Sequence, residues 1–196
     1  EDRDSEELAI PFNLWDKQKE ALDTILNNRL TVIMKARQLG LTWLVLSYAV
    51  WRMVFKQGYS VVALSKREDP DAKELIRRIE FILRHLPFWL MREKKTAPPD
   101  WDGLTWESTV LSITIYHPDG ESSVFRSMTA APDSGRSFTA NLVILDEWAY
   151  QMWADEIWSA AYPTINRPTG GQVIGISTNR RGTLFEQILR EAIRGV

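Results

Sequence analysis

Four short runs of almost unbroken apolar residues constrain this chain more than any other feature. They are Leu30–Met34, "YSVVALS" at 59–65, "NLVILDEW" at 141–148 and "QVIGIST" at 172–178. Runs this short and this rich in Val and Ile suit strands buried on both faces, as in the middle of a parallel sheet. Between them, apolar residues recur at helical spacing. Trp15, Leu22, Ile25 and Leu26 mark a helix over 14–27, a largely apolar stretch covers 42–55, and Leu75, Ile76, Ile79, Ile82 and Leu83 precede Pro87. Strands alternating with helices predict a mostly parallel, three-layer α/β sheet, and 196 residues are enough for one such domain.

The connections are less regular. Asp69-Pro70-Asp71 is expected to open the third helix, with an N-cap acceptor followed by proline at the first helical position. "REKKTAPPDWDG" (92–103) reads as a polar loop, followed by shorter β segments at 110–116 and 123–128. "APDSGRS" (131–137) reads as a loop, "ADEIWSAAY" (154–162) as a short helix and 183–193 as the last helix. No linker, repeat or low-complexity stretch divides the chain. The whole of 1–196 is therefore expected to form a single domain, with 1–10 as a solvated acidic tail.

Composition narrows the chemistry. The chain has no cysteine, which excludes disulfides and thiolate metal sites. His85 and His117 are its only histidines, too few for a histidine-rich metal site. No apolar run approaches the roughly 20 residues of a membrane helix, and the opening shows no charged start followed by an apolar core. A net charge of −2 does not mark the chain as a nucleic-acid binder, although Arg77, Arg78, Arg84, Arg92, Lys94 and Lys95 form a basic stretch that could face phosphates. Nine tryptophans are read chiefly as core and partner-surface aromatics, with base stacking as the alternative.

Three of the apolar runs end in residues that carry chemistry. "MKARQLGLTW" (34–43) follows the first run and leads into a helix. Such a strand–loop–helix transition aims backbone N–H groups and the helix dipole at anionic phosphate. Gly40 permits a backbone that a β-carbon would hinder, and Thr42 stands where a hydroxyl can reach Mg²⁺. The usual cation is missing, because Leu41 fills its position. Lys35, at the front of the loop, has a stem long enough to fold back over the phosphates, and Arg37 is a second nearby base. Taken alone, the spacing also fits an ordinary βα turn. Asp146-Glu147 end the third run, at the sheet edge where open α/β sheets bind ligands. Asp146 can help hold Mg²⁺, and Glu147 can orient and deprotonate an attacking water. The two acids can share one site only if the strand end bends, since successive strand residues point to opposite faces. In "GISTNRRGT" (175–183), Ser177 and Thr178 end the fourth run with hydroxyls on the same edge.

In this order, the three motifs resemble an additional-strand (ASCE) P-loop ATPase. "KARQLGLT", "VILDEWAY" and "GISTNRRGT" closely resemble the ATPase motor of the large terminase subunit of tailed bacteriophages and related viruses, which packages DNA into an empty capsid. In this family the loop commonly reads Arg-Gln-x-Gly-x-Thr/Ser, and a lysine displaced to its start is a known variant. The resemblance therefore makes Lys35 the phosphate-binding lysine, so that Leu41 does not mark a dead site. It implies ATP as substrate, held by Lys35, Ala36, Arg37, Gln38, Leu39, Gly40, Leu41, Thr42 and Trp43, with Mg²⁺ on Thr42 and Asp146 and Glu147 as catalytic base.

The segment "PFNLWDKQKEAL" (11–22) is similar to the family's adenine-recognition segment, with Gln18 pairing the adenine edge. "SGRSFTANLVILDE" is similar to the segment holding an arginine finger, which makes Arg136 the finger, inserted into a neighbouring subunit's site. In analogous enzymes such a finger is worth ~10³–10⁵ in rate. Ser177 and Thr178 resemble the coupling motif. The implied partners are double-stranded DNA, further copies in a ring expected to be a pentamer on the portal, the portal protein and the small terminase subunit. The implied location is the host cytoplasm, transiently at the procapsid portal. The lid subdomain and nuclease domain of the family are expected to be absent. A helicase-like translocase is the nearest alternative, although Trp148-Ala149 after the acidic pair does not suit it. A nucleotide-dependent assembly module without turnover is a third possibility, and there Leu41 would signal lost catalysis.

Overall fold

Each of the four apolar runs forms a strand, and all four lie side by side. The computed structural model describes residues 11–131, 140–165 and 170–194. In chain order the strands are β1 (Leu30–Met34), β2 (Ser60–Ser65), β3 (Met91–Glu93), β4 (Leu104–Ser108), β5 (Ser112–Tyr116), β6 (Ser123–Thr129), β7 (Leu142–Asp146) and β8 (Gln172–Ser177). The helices are α1 (Asp16–Asn27), α2 (Leu41–Phe55), α3 (Lys73–Arg84), α4 (Ala154–Ile165) and α5 (Leu184–Arg194). One eight-stranded sheet runs β1-β8-β7-β2-β6-β5-β4-β3. Strands β1, β8, β7, β2 and β6 are mutually parallel. Strand β5 is antiparallel to both of its neighbours, and β3 is parallel to β4. The sheet is thus mixed, and four of its five mutually parallel strands are built from the apolar runs.

Side chains alternate between the two faces of the sheet, and each face is covered by helices. Val61, Ala63, Leu142, Ile144, Ile174 and Ile176 pack with residues of α1, α2 and α3. Val62, Leu64, Val143, Leu145 and Val173 pack with α4 and α5 on the other face. Among the described residues, no helix is long and apolar enough to cross a membrane.

Two connections differ from the sequence expectation. The regular third helix begins at Lys73, not at Asp69-Pro70. Asp69 is extended (φ −115°, ψ 125°), the conformation a residue before proline favours. The Asp69–Pro70 bond is cis, and the turn is tied by Lys73 Nζ–Asp69 Oδ2 (2.6 Å) and Arg67 Nε–Asp71 Oδ2 (3.1 Å) ion pairs. The expected polar loop over 92–103 contains the last two residues of β3 and a 3₁₀ turn at Lys94–Thr96. Strand β3 has three residues and one buried side chain, Met91, too little for an apolar period to show. Helix α4 continues through Pro163 to Ile165, beyond the expected 162.

Because the central strands are parallel, β1, β7 and β8 end on one edge. Met34 pairs with Ser177, and Asp146 pairs with Ile176. Strand β8 lies between β1 and β7. The three motifs singled out in the sequence therefore meet at a single C-terminal edge.

Candidate active site

The loop after β1 is shaped by two left-handed residues. Gln38 (φ 64°) and Gly40 (φ 68°) turn the chain sharply, and Gly40 caps α2 as its carbonyl accepts the Leu44 N–H at 3.0 Å. Left-handed residues in such a loop turn neighbouring N–H groups toward one concave side, which suits an anion. Leu41, at the usual lysine position, is buried in the core at 8% exposure. Lys35 takes the opposite course. Its N–H donates to the Ser177 carbonyl at 2.9 Å, while its side chain reaches the acidic pair and its Nζ donates to Glu147 Oε1 at 2.9 Å. The lysine side chain is only 10% exposed and that of Glu147 is 37% exposed. Arg37 is exposed.

The acids meet this loop because the chain bends between them. Asp146 is the last residue of β7, and Glu147 is left-handed (φ 50°, ψ 42°), uncommon for a residue with a β-carbon. The bend lets Glu147 face Lys35 while Thr42 Oγ1 donates to Asp146 Oδ1 at 3.4 Å. Trp148, fully buried, anchors the turn. It lies against Trp158 (centroids 5.3 Å) and Phe185 (5.8 Å, edge-on), over Gly175 of β8. Ser177 Oγ accepts the Ala149 N–H at 3.1 Å, and Thr178 Oγ1 donates to the Tyr150 hydroxyl at 3.3 Å. Ser177 thus holds the Lys35 backbone by its carbonyl and the turn after Glu147 by its hydroxyl.

Burial pushes the Asp146 carboxyl up from its ordinary 3.8 to about 6. The Lys35 charge opposes this rise, Glu147 adds to it, and Arg78 and the Thr42 hydroxyl oppose it. Two further residues matter here: Gln151 carries no site signal in the sequence, and Arg78 is marked there only as part of the basic stretch. Gln151 Nε2 donates to the carbonyls of Leu64 and Asp146, both at 2.8 Å, fastening the end of β7 to β2. Arg78 lies with its guanidinium 5.5 Å over the Trp43 ring, held by Glu74 at 3.1 Å, and its charge acts on Asp146. Both are visible only once α3 and the β7 turn are packed.

Among the other expected site residues, Gln18 lies against the loop itself. Gln18 is 2% exposed and its amide is bonded to backbone at both ends. Trp43 packs edge-on against Phe81 of α3. Arg136 lies outside the described residues. The basic stretch is locally partnered. Arg77, Lys94 and Lys95 pair with Glu74, Glu107 and Glu93, Arg84 lies over Trp106, and Arg92 lies over Phe88 and Trp101.

The donor set suits a hard divalent cation. Thr42 and Asp146 offer oxygen only, the ligand type a hard cation such as Mg²⁺ prefers, and their oxygens lie 3.4 Å apart. Among the described residues, no group of three or more Asp, Glu, His or Cys could hold a metal. A cation here would complete its shell with water and ligand oxygens, as Mg²⁺ commonly does.

The fold has counterparts among solved structures. The chain is similar to the large terminase ATPase domain of Thermus phage P74-26, with 20% identity, a TM-score of 0.63 and coverage of 85% of this chain and 67% of that one. It is also similar to the large terminase of bacteriophage HK97, with 15% identity, a TM-score of 0.70 and coverage of 96% and 38%. This is the fold of phage large-terminase ATPase domains. A third large terminase, from a thermophilic bacteriophage and solved with ADP, matches at 12% identity, a TM-score of 0.55 and coverage of 83% and 38%. The chain spans 64–67% of the Thermus phage ATPase-domain chains and 38% of the other two terminases. No family model matches the chain, and no curated protein matches it in sequence. Within this fold the three motif strands, β1, β8 and β7, lie side by side with their C-terminal ends together.

Proposed function

We propose that the chain is an ATP-hydrolysing domain of a viral large terminase, of the additional-strand P-loop type, that drives double-stranded DNA into a procapsid. The observation that carries this reading is the pair of contacts across the sheet edge, Lys35–Glu147 and Thr42–Asp146, with β8 inserted between β1 and β7. The likeness to terminase ATPase domains, one solved with ADP, supports it.

In this reading the triphosphate lies on the 35–42 loop. Lys35 places an ammonium on its outer phosphates, and Leu41 is free to serve the core. Thr42 and Asp146 would hold Mg²⁺, which neutralises phosphate charge when bound. Glu147, freed from Lys35 as that lysine turns to phosphate, orients the attacking water and takes its proton. Burial raises Asp146 to about 6, and the charge of a bound cation would oppose that rise and favour the ionised carboxylate. Ser177 links the loop to the acids, so changes at the phosphates reach the 147–151 turn directly. Arg136 of an adjacent copy completes the site, within a ring seated on the portal and served by the small terminase subunit.

Paired substitutions test the assignment. Lys35→Ala is expected to weaken Mg·ATP binding by roughly 10–100-fold, the worth of a charge-assisted hydrogen bond, and to abolish turnover. Glu147→Ala is expected to lower turnover by about 10²–10⁴ while leaving binding near the parent's. Equal loss of binding in both variants would refute these roles.

A further inference from the structure

We infer that Gln18 is a positioning residue that clasps the phosphate loop, so that it governs the grip on triphosphate and not the choice of base. The inference rests on the reading of 35–42 as that loop. Gln18 sits in the first turn of α1 and is 2% exposed. Its Oε1 accepts the Trp15 N–H at 3.2 Å, capping the start of α1, and its Nε2 donates to the Leu39 carbonyl at 2.9 Å. One amide thus joins a helix N-terminus to the residue just before Gly40. The approach is close. A β-carbon at Gly40 would lie 2.7 Å from Gln18 Nε2 and 3.6 Å from Phe12 Cε2. Gly40 therefore serves two needs at once, a left-handed backbone and room for the clasp. Turning the amide toward a base edge would break its bond to the part-buried Leu39 carbonyl, and giving up such a bond is unfavourable.

The consequence is specific. A base-reading glutamine matters for ATP and not for a ligand without a base. A clasp matters for every ligand the loop holds, because it sets the path of residues 39 and 40 before any ligand arrives. Two variants separate these roles. Gln18→Ala removes both bonds. Gln18→Glu keeps an acceptor for the Trp15 N–H but has no donor for Leu39, which isolates the loop bond from the helix cap.

The experiment has two arms on the whole chain. The first follows amide hydrogen exchange over residues 36–41 without nucleotide, and both variants are expected to exchange faster there than the parent. The second measures binding of Mg·ATP, Mg·GTP and Mg·tripolyphosphate. Both variants are expected to lose affinity for all three by a common factor, roughly tenfold, about one hydrogen bond's worth. Unchanged exchange over 36–41, or a loss confined to ATP, would overturn the clasp. A parent chain that bound none of the three while its variants still exchanged faster would overturn the nucleotide reading and leave the clasp standing.

Discussion

Asp146 sets the terms at the level of single residues. An ordinary aspartate titrates near 3.8, and burial raises this one to about 6. Below about pH 4 the folded and unfolded chains both hold the proton, and the buried group costs nothing extra. As pH rises toward 6, the unfolded chain ionises first, so stability falls. Above that, the folded chain carries a buried carboxylate and the penalty is complete. Asp146→Asn is therefore expected to stabilise the protein at pH 7.5 by up to about 3 kcal/mol, with the gain shrinking toward zero near pH 4. Denaturant titrations at the two pH values measure it, and magnesium-dependent turnover should be lost in the same variant. A functional carboxylate held at the expense of stability is a common compromise in active sites.

At the level of elements, the position of Glu147 depends on what lies beneath the next residue. Trp148 fits over β8 because residue 175 has no side chain, and a β-carbon there would come within 2.4 Å of Trp148 Cε3. Gly175→Ala is thus expected to displace the indole, move the 147–151 turn and part Glu147 from Lys35. Overpacking of this kind costs about 1–3 kcal/mol. Turnover should fall by a larger factor than nucleotide affinity, since the loop after β1 is also held by α1 through Gln18. Thermal unfolding together with kcat and ATP affinity in one variant checks both parts. The sequence shows "GIS" in one strand and an acid pair in another, with no sign that the glycine of one seats the tryptophan beside the other.

For the whole molecule, the proposed motor needs more than one copy. The edge formed by β1, β8 and β7 carries a lysine, a hydroxyl and two acids, and the expected second cation, Arg136, belongs to a neighbour's site in this reading. Phosphate release per subunit should then rise with protein concentration. Arg136→Ala and Glu147→Ala, each inactive alone, should regain activity when mixed, because one mixed interface pairs an intact Glu147 with an intact Arg136. Absence of rescue at every mixing ratio would confine the arginine to its own chain. Steady-state turnover across a concentration series and a mixing series measures both.

The sequence by itself determined the parallel half of the sheet, the helices around it and the edge where the chemistry gathers. Unbroken Val and Ile runs have few other low-energy uses than buried strands, and parallel strands bring their ends together. It also marked Lys35, Thr42, Asp146 and Glu147, since a cation, a hydroxyl and paired acids at strand ends are chemically legible at fixed spacing. Only the tertiary structure decided that Glu147 bends back to Lys35, that Gln18 is spent on Leu39, that the Arg78 charge reaches Asp146, and that β3 runs into an apparent loop. Each of these depends on contacts between residues far apart in the chain, and local periodicity carries no information about so distant a partner.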